Sequence, residues 1–268
     1  MPIGPDTTVS SAWAGAVTDT SFTAAHYLGA DTSGARLAVS VNSDLSSPVY
    51  SSRARSSSKT VKHTISGLTP NTAYYFGIEI NGVVKTTKKG QFKTMPSGAS
   101  SGSQINFRFS VTQCQNGADN GKAYGELMGL ATKPLFNILN GDMFYDNIST
   151  DSEALFDAAY EAVLGGTYAG PFLREIPQYR IHDDNDYGPP NSDSTSASRP
   201  SSLAAFRRRT PTPSLVYSGA LDPVNYSFVQ GRLRFIVTDT RSQKDTTTIL
   251  GATQKQWFKD QIAAAYAA

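Results

Sequence analysis

One cysteine, three histidines and two tryptophans are all that 268 residues contain of those types. With Cys114 alone, no intramolecular disulfide forms, so packed cores must hold the fold together. No run approaches the roughly 20 consecutive apolar residues that a membrane-spanning helix needs. Charge is also sparse. The 24 Lys and Arg against 22 Asp and Glu leave a formal net charge of +2, spread too evenly to attract nucleic acid. The one basic run, Arg207-Arg208-Arg209, follows a helical stretch and precedes two prolines, and it reads as a solvated helix end rather than a binding patch. The N-terminus lacks the charged and apolar regions of a signal peptide. A cleaved signal replaced by a start methionine fits this, as does a cytoplasmic protein, and the many Ser, Thr and Gly residues lean towards an extracellular surface.

What is present suits two domains, one small and one medium. In the first hundred residues, Thr8 to Ala16, Ser21 to Leu28, Ala35 to Val41 and Thr60 to Ile65 alternate apolar and polar residues with period two. Gly, Asp, Asn and Ser clusters separate them, as in an all-β sandwich. Residues 67–82, GLTPNTAYYFGIEING, set Leu68, Pro70, Thr72 and Tyr74 ahead of a strand that ends at the turn pair Asn81-Gly82. This resembles the tyrosine corner of fibronectin type III and related immunoglobulin-like sandwiches, where a Tyr hydroxyl ties a corner back to the backbone. Residues 94–103, TMPSGASSGS, read as a linker.

Beyond it the pattern changes. A strand through Phe107, Phe109 and Val111 runs into Cys114 and a glycine-containing loop. A helix over Ala123 to Ala131 and an apolar strand over Leu135 to Leu139 follow, which points to an α/β core. A helix over Ser152 to Leu164, strands over Tyr179 to Ile181 and Leu233 to Thr238, and a helix from Thr253 complete the outline. Tyr187 to Ser202 reads as a long loop, functional or disordered. Leu233 to Thr238 is apolar on both faces and is expected to be a central, buried strand. Acids end three strands: Asp142, then Asp183, Asp184 and Asp186, then Asp239. Carboxylates gathered at the carboxyl ends of strands call for a cation, and hard oxygens suit Ca²⁺ or Mg²⁺, while a thiolate and a phenolate suit a softer or more oxidised metal.

Five segments in order, VTQCQ (111–115), GDMFY (141–145), HDDNDYGPPNSD (182–193), VTDTRS (237–242) and LGATQKQWFK (250–259), resemble the successive motifs of the alkaline phosphatase D family of metallophosphoesterases. The front sandwich is similar to that family's N-terminal domain. The resemblance implies a fibronectin type III or immunoglobulin-like β-sandwich over 1–96, a linker over 97–103, and an α/β, αββα-type metallophosphoesterase domain over 104–268. It implies metal-dependent hydrolysis of phosphomonoesters or phosphodiesters, outside the cytoplasm, with Fe³⁺ and Ca²⁺ as cofactors. By the same resemblance Cys114, Asp142 and Tyr145 are iron ligands, with Asp142 bridging the metals. Asp184 is a ligand to the calcium, and Arg241 grips a phosphate oxygen with its planar fork.

Two departures follow. Asn185 stands where the family has a histidine, and an amide donates a hydrogen bond but transfers no proton; His182 takes the place of the family's tryptophan. The family's late histidine motif has no counterpart, since His26, His63 and His182 all come early. The expectation is a C-terminally incomplete domain whose open apolar face is covered by a missing C-terminal segment or by a homo-oligomer partner. The rival reading is a catalytically inactive extracellular binding or structural protein. A weaker one is a carbohydrate- or surface-binding module led by the sandwich, which would show exposed aromatics on one sheet face.

Overall fold

Alternating strands do form two facing sheets in the computed structural model, which describes residues 8–115 and 121–267; the glycine-containing loop expected after Cys114 falls at 116–120, outside them. Strands β1 (Val9–Val17), β2 (Ser21–Leu28) and β5 (Thr60–Ser66) make one antiparallel sheet, in the order β1-β2-β5. Strands β3 (Ala35–Ser40), β4 (Val49–Tyr50), β6 (Ala73–Ile80) and β7 (Val83–Lys93) make the other, in the order β4-β3-β6-β7. Phe22 and Ala24 of the first sheet meet Leu37, Val39 and Phe76 of the second in one core, because period-two alternation sends every other side chain inward. Asn81 and Gly82 both have positive φ, 52° and 85°, as a two-residue hairpin turn requires. The Tyr74 hydroxyl accepts the Thr69 N–H at 3.0 Å, which anchors the corner that the sequence pattern predicts. Among the described aromatics of this half, only Tyr50 counts as exposed, and Arg36 lies over its ring; no aromatic platform forms.

The second half contributes a parallel sheet with the order β10-β9-β8, from β8 (Phe109–Thr112), β9 (Phe136–Asn140) and β10 (Gln178–Ile181). Helices α1 (Lys122–Gly129), α2 (Glu153–Leu164), α3 (Ala169–Glu175), α4 (Asp184–Tyr187) and α5 (Arg199–Arg209) lie between and after these strands. An antiparallel pair, β11 (Tyr226–Gln230) and β12 (Leu233–Val237), precedes the closing helix α6 (Gly251–Ala267). The described residues are thus mostly β, in four sheets. The loop expected over 187–202 is shorter than its composition suggests, because α5 starts at Arg199 with a proline in its first turn, a position that needs no N–H donor.

Two expectations are overturned here. β12 is not central: among the described residues it pairs only with β11, Leu233 is 49% exposed, and its other residues are half-buried. Phe235 packs on Phe228, Phe109 and Phe136, so an apolar run reported contact on a face and not the number of neighbouring strands. Nor is the arginine run solvated. Arg208 pairs with Glu153 and with Asp157 at 2.9 Å, and Arg209, 2% exposed, pairs with Glu161. The three acids lie four residues apart, on one stripe of α2, and they bind α5 along it.

The segment between the halves is folded down. Ala99–Ser101 forms a 3₁₀ turn between two left-handed glycines, and the Gly231 N–H donates to Ala99 O at 2.8 Å. The Tyr179 hydroxyl donates to Val17 O at 2.7 Å, and Gln230 Nε2 donates to the same carbonyl at 2.7 Å. Trp13 Nε1 donates to Arg209 O at 2.6 Å. Gly15 permits the closest approach, since a Cβ there would lie 2.0 Å from Pro211 O.

His26 is buried in the first sheet with neither ring nitrogen hydrogen-bonded. Burial, and then the neighbouring His63, push its pKa down to about 3. The unfolded chain takes up this proton below about pH 6.5 and the native chain does not, so stability falls with falling pH across that window. Chemical denaturation at pH 7 and pH 5 should show a smaller acid loss in His26→Phe than in the parent chain, by about 2 kcal/mol. Equal losses would remove His26 from the account.

Candidate metal centre

Parallel pairing aligns Asn140 of β9 with Ile181 of β10, so both strands finish at the same edge and their following loops touch. Gly141 makes the contact sterically feasible: its φ is +88°, and a Cβ would stand 2.4 Å from Asp183 Cβ. The loop after β8 joins them, with the Cys114 N–H donating to Gly141 O at 3.3 Å and the Gln115 N–H to Asp142 O at 2.8 Å. Cys114 and Asp142 are themselves left-handed, with φ of 55° and 54°. Such conformations cost energy and persist where the surroundings over-determine them.

The carboxylates of Asp142, Asp183 and Asp184 offer oxygens that all lie within 4.8 Å of one another. Asp142 Oδ2 accepts from the Tyr145 hydroxyl at 3.0 Å and from Asn185 Nδ2 at 3.2 Å, and Cys114 Sγ lies 3.8 Å away. Its Oδ1 accepts the Asn185 N–H at 3.3 Å. Burial, and then the charges of Asp186 and Asp183, push the Asp142 carboxyl above the usual range, against the hydrogen bonds from Tyr145 and Asn185. Burial and the contacts with Cys114 and Asp142 push the Tyr145 phenol well up. Arg241 Nε donates to Asp183 Oδ1 at 2.6 Å, and its guanidinium lies 3.7 Å from Asp184. Asp184 Oδ2 accepts the Asn191 N–H at 2.5 Å.

All six residues singled out from the sequence, Cys114, Asp142, Tyr145, Asp184, Asn185 and Arg241, therefore stand at this edge. Asp183 joins them, although its sequence reading went no further than a strand-end acid; its adjacency to Asp184 in a turn that faces a glycine was the available signal. Asp239 does not join. Its oxygens are taken by His182 Nε2 at 3.2 Å, by the Ser242 hydroxyl, and by the N–H groups of Val224, Arg241 and Ser242. Burial works against its charge, but His182 and Ser242 hold the carboxyl well below the usual range. It braces the turn that carries Arg241, which explains why a third strand-end acid is present without facing the cluster. His182 places its Nε2 on Asp239.

The donor set fits a cation. Three carboxylates suit a hard divalent ion, and a thiol and a phenol beside one of them suit, when deprotonated, a softer or more oxidised metal.

No protein-family model and no curated protein matches the chain. Among solved structures, the chain resembles one titled "Structure of PhoD". They share 16% identity at a TM-score of 0.79, over 96% of this chain and 60% of that one. The fold is shared with PhoD. The present chain spans about 60% of that protein's length. The sensor domain of the anti-sigma factor RsgI4 of Pseudobacteroides cellulosolvens and the central fibronectin-III array of RIM-binding protein match 34% and 40% of the chain. Their TM-scores are both 0.27, too low to define a common fold.

Calorimetric titration with Ca²⁺ is expected to find a site whose Kd rises at least ~10-fold in Asp142→Asn, since that residue contacts Cys114, Tyr145 and Asn185 and shares the cluster with Asp183 and Asp184. A variant that binds as the parent does would remove Asp142 from the centre.

Proposed function

We propose that this chain is a metal-dependent phosphoester hydrolase of the alkaline phosphatase D type. In this reading 1–96 is a fibronectin type III or immunoglobulin-like sandwich, 97–103 a linker, and 104–268 a metallophosphoesterase portion acting outside the cytoplasm. One observation carries the proposal. Cys114, Asp142, Tyr145, Asp184 and Arg241 meet at one sheet edge, in a chain that shares the fold of PhoD.

Cys114, Asp142 and Tyr145 would hold a ferric ion, and Asp142 with Asp184 would hold calcium, with Asp183 beside them. Such ions supply Lewis acidity towards a phosphoryl oxygen and lower the pKa of water. The chain's own groups bind and orient the ester. Arg241 presents a planar fork of donors that matches two phosphate oxygens, and the Asp239 turn sets its backbone through the Arg241 N–H. Asn185 supplies an N–H donor beside Asp142, which stabilises charge on an oxygen by a hydrogen bond without moving a proton.

A second reading is favoured by Asn185. It is 8% exposed and spends its amide on Asp142, as a structural residue would, so a catalytically inactive binding protein built on the same centre is the alternative.

Hydrolysis of p-nitrophenyl phosphate and bis(p-nitrophenyl) phosphate, with and without EDTA, separates the two. The proposal expects turnover that EDTA abolishes and that Arg241→Ala lowers about 10²-fold or more. Asn185→His is expected to raise the rate, by roughly 10²- to 10⁴-fold if it restores full acid–base assistance. Metal uptake without turnover in both the parent and Asn185→His would favour the inactive reading.

A further inference from the structure

We infer that Asp186 is the positioning residue of this centre: its buried carboxylate ties the Asp142 loop to the Asp183-Asp184 turn and so sets the spacing of the three clustered acids. The inference rests on reading that cluster as a metal centre. Asp186 is not itself in the cluster, and its side chain is fully buried.

Its bonds run to both sides. Asp186 Oδ1 accepts the Met143 N–H at 2.6 Å, from the residue that follows Asp142. Asp186 Oδ2 accepts the N–H of Asp183 at 3.1 Å. The Arg180 guanidinium lies 2.9 Å from Oδ1 and neutralises the charge. Arg180 is in turn held by the Tyr160 hydroxyl and by Thr210 Oγ1 at 3.4 Å, and lies over the ring of Phe206. The bracket is thus braced against α2 and α5 rather than floating with the loops.

A helix cap alone does not account for this arrangement. Asp183 and Asp186 do form a capping box at α4, which explains the bond to Asp183. It leaves the bond to Met143 and the ion pair with Arg180 unexplained, and the first of these is the one that reaches the other loop. The chemistry also selects the residue. Three donors converge on one group, so an acceptor-only carboxylate is needed; an amide would turn N–H groups against one of them. A glutamate would keep the charge and the Arg180 partner, yet its extra methylene would push the two loops apart.

Asp186→Glu and Asp186→Asn test the role through two readouts. Amide hydrogen exchange is followed at Met143 and Asp183 in metal-free protein, and Ca²⁺ affinity is measured by calorimetry. In Asp186→Glu both amides should exchange at least ~10-fold faster, with strand amides of β2 and β6 unchanged, and the Ca²⁺ Kd should rise about 10- to 100-fold. A merely structural role would lower the melting temperature and loosen the whole domain, without singling out these two amides. Should either variant not fold, Arg180→Lys keeps the charge but loses the planar fork, and it is read by the same two measurements. Parent-like exchange and parent-like affinity in the folded variants overturn the inference while leaving the metal reading intact. A parent chain that takes up no Ca²⁺ sinks the reading of the centre, and this inference with it.

Discussion

The parallel pairing of β9 with β10 is the constraint on which the rest of the site depends. Because the two strands run the same way and align Asn140 with Ile181, their exits fall on one edge, as the carboxyl ends of strands do in open α/β sheets. Everything chemical then follows at short range. Gly141 lets the loops touch, Asp186 bonds to both of them, and β8, the third strand, brings Cys114 to the same edge. A one-residue slip between β9 and β10 would turn their inward side chains outward and carry Asp142 away from Asp183.

That sheet is in turn held by the first half of the chain. Phe136 and Tyr179 belong to the same buried cluster as Phe22, Leu37 and Phe76. Tyr179 exchanges two hydrogen bonds with the backbone of Val17, accepting its N–H at 3.2 Å and donating to its carbonyl. The Tyr179 hydroxyl and both backbone groups of Val17 are thereby paired, which spares them the penalty of an unsatisfied donor or acceptor. Val17 ends β1, and the backbone two residues before it approaches Pro211 through Gly15. The sandwich acts as a rigid base under the sheet, and the segment between them is packed rather than loose.

Legibility in the sequence followed the range of the interaction. The Tyr74 corner and the Asn81-Gly82 turn were readable because their partners lie within a few residues. That Cys114, Asp142, Tyr145, Asp184, Asn185 and Arg241 come together was readable because short motifs place them just past strand ends, which the fold gathers at one edge. The failures were all long-range. Nothing local in Leu233 to Val237 says how many strands will flank it, and nothing in three consecutive arginines reveals an acidic stripe some fifty residues earlier. Asp186 looked like one more acid in an acid-rich motif, and only its partner Arg180, on the preceding strand, separates it from its neighbours. Asp239 was misread for the complementary reason: its partners His182 and Val224 reach it from other elements.

The balance of charge at the edge distinguishes the three clustered acids from one another. Two unit charges about 4.8 Å apart repel by roughly 3–4 kcal/mol at an effective dielectric of about 20. Arg241 relieves this at Asp183, on which its fork closes, and more weakly at Asp184. Asp142 receives only neutral donors, from Tyr145, Asn185 and Cys114, and burial with the nearby Asp186 and Asp183 charges pushes its carboxyl up in spite of them. The demand for positive charge is therefore concentrated on the one acid that touches both the thiol and the phenol. A cation that met this demand would also weaken the hold of Asp183 on Arg241, because the two positive charges would compete for the same carboxylates. On the proposed reading, a cation held by these acids would also make the Arg241 guanidinium more available to a phosphate. That link would exist because the Arg241 side chain closes on an acid of the cluster rather than on the Asp239 carboxylate two residues before it.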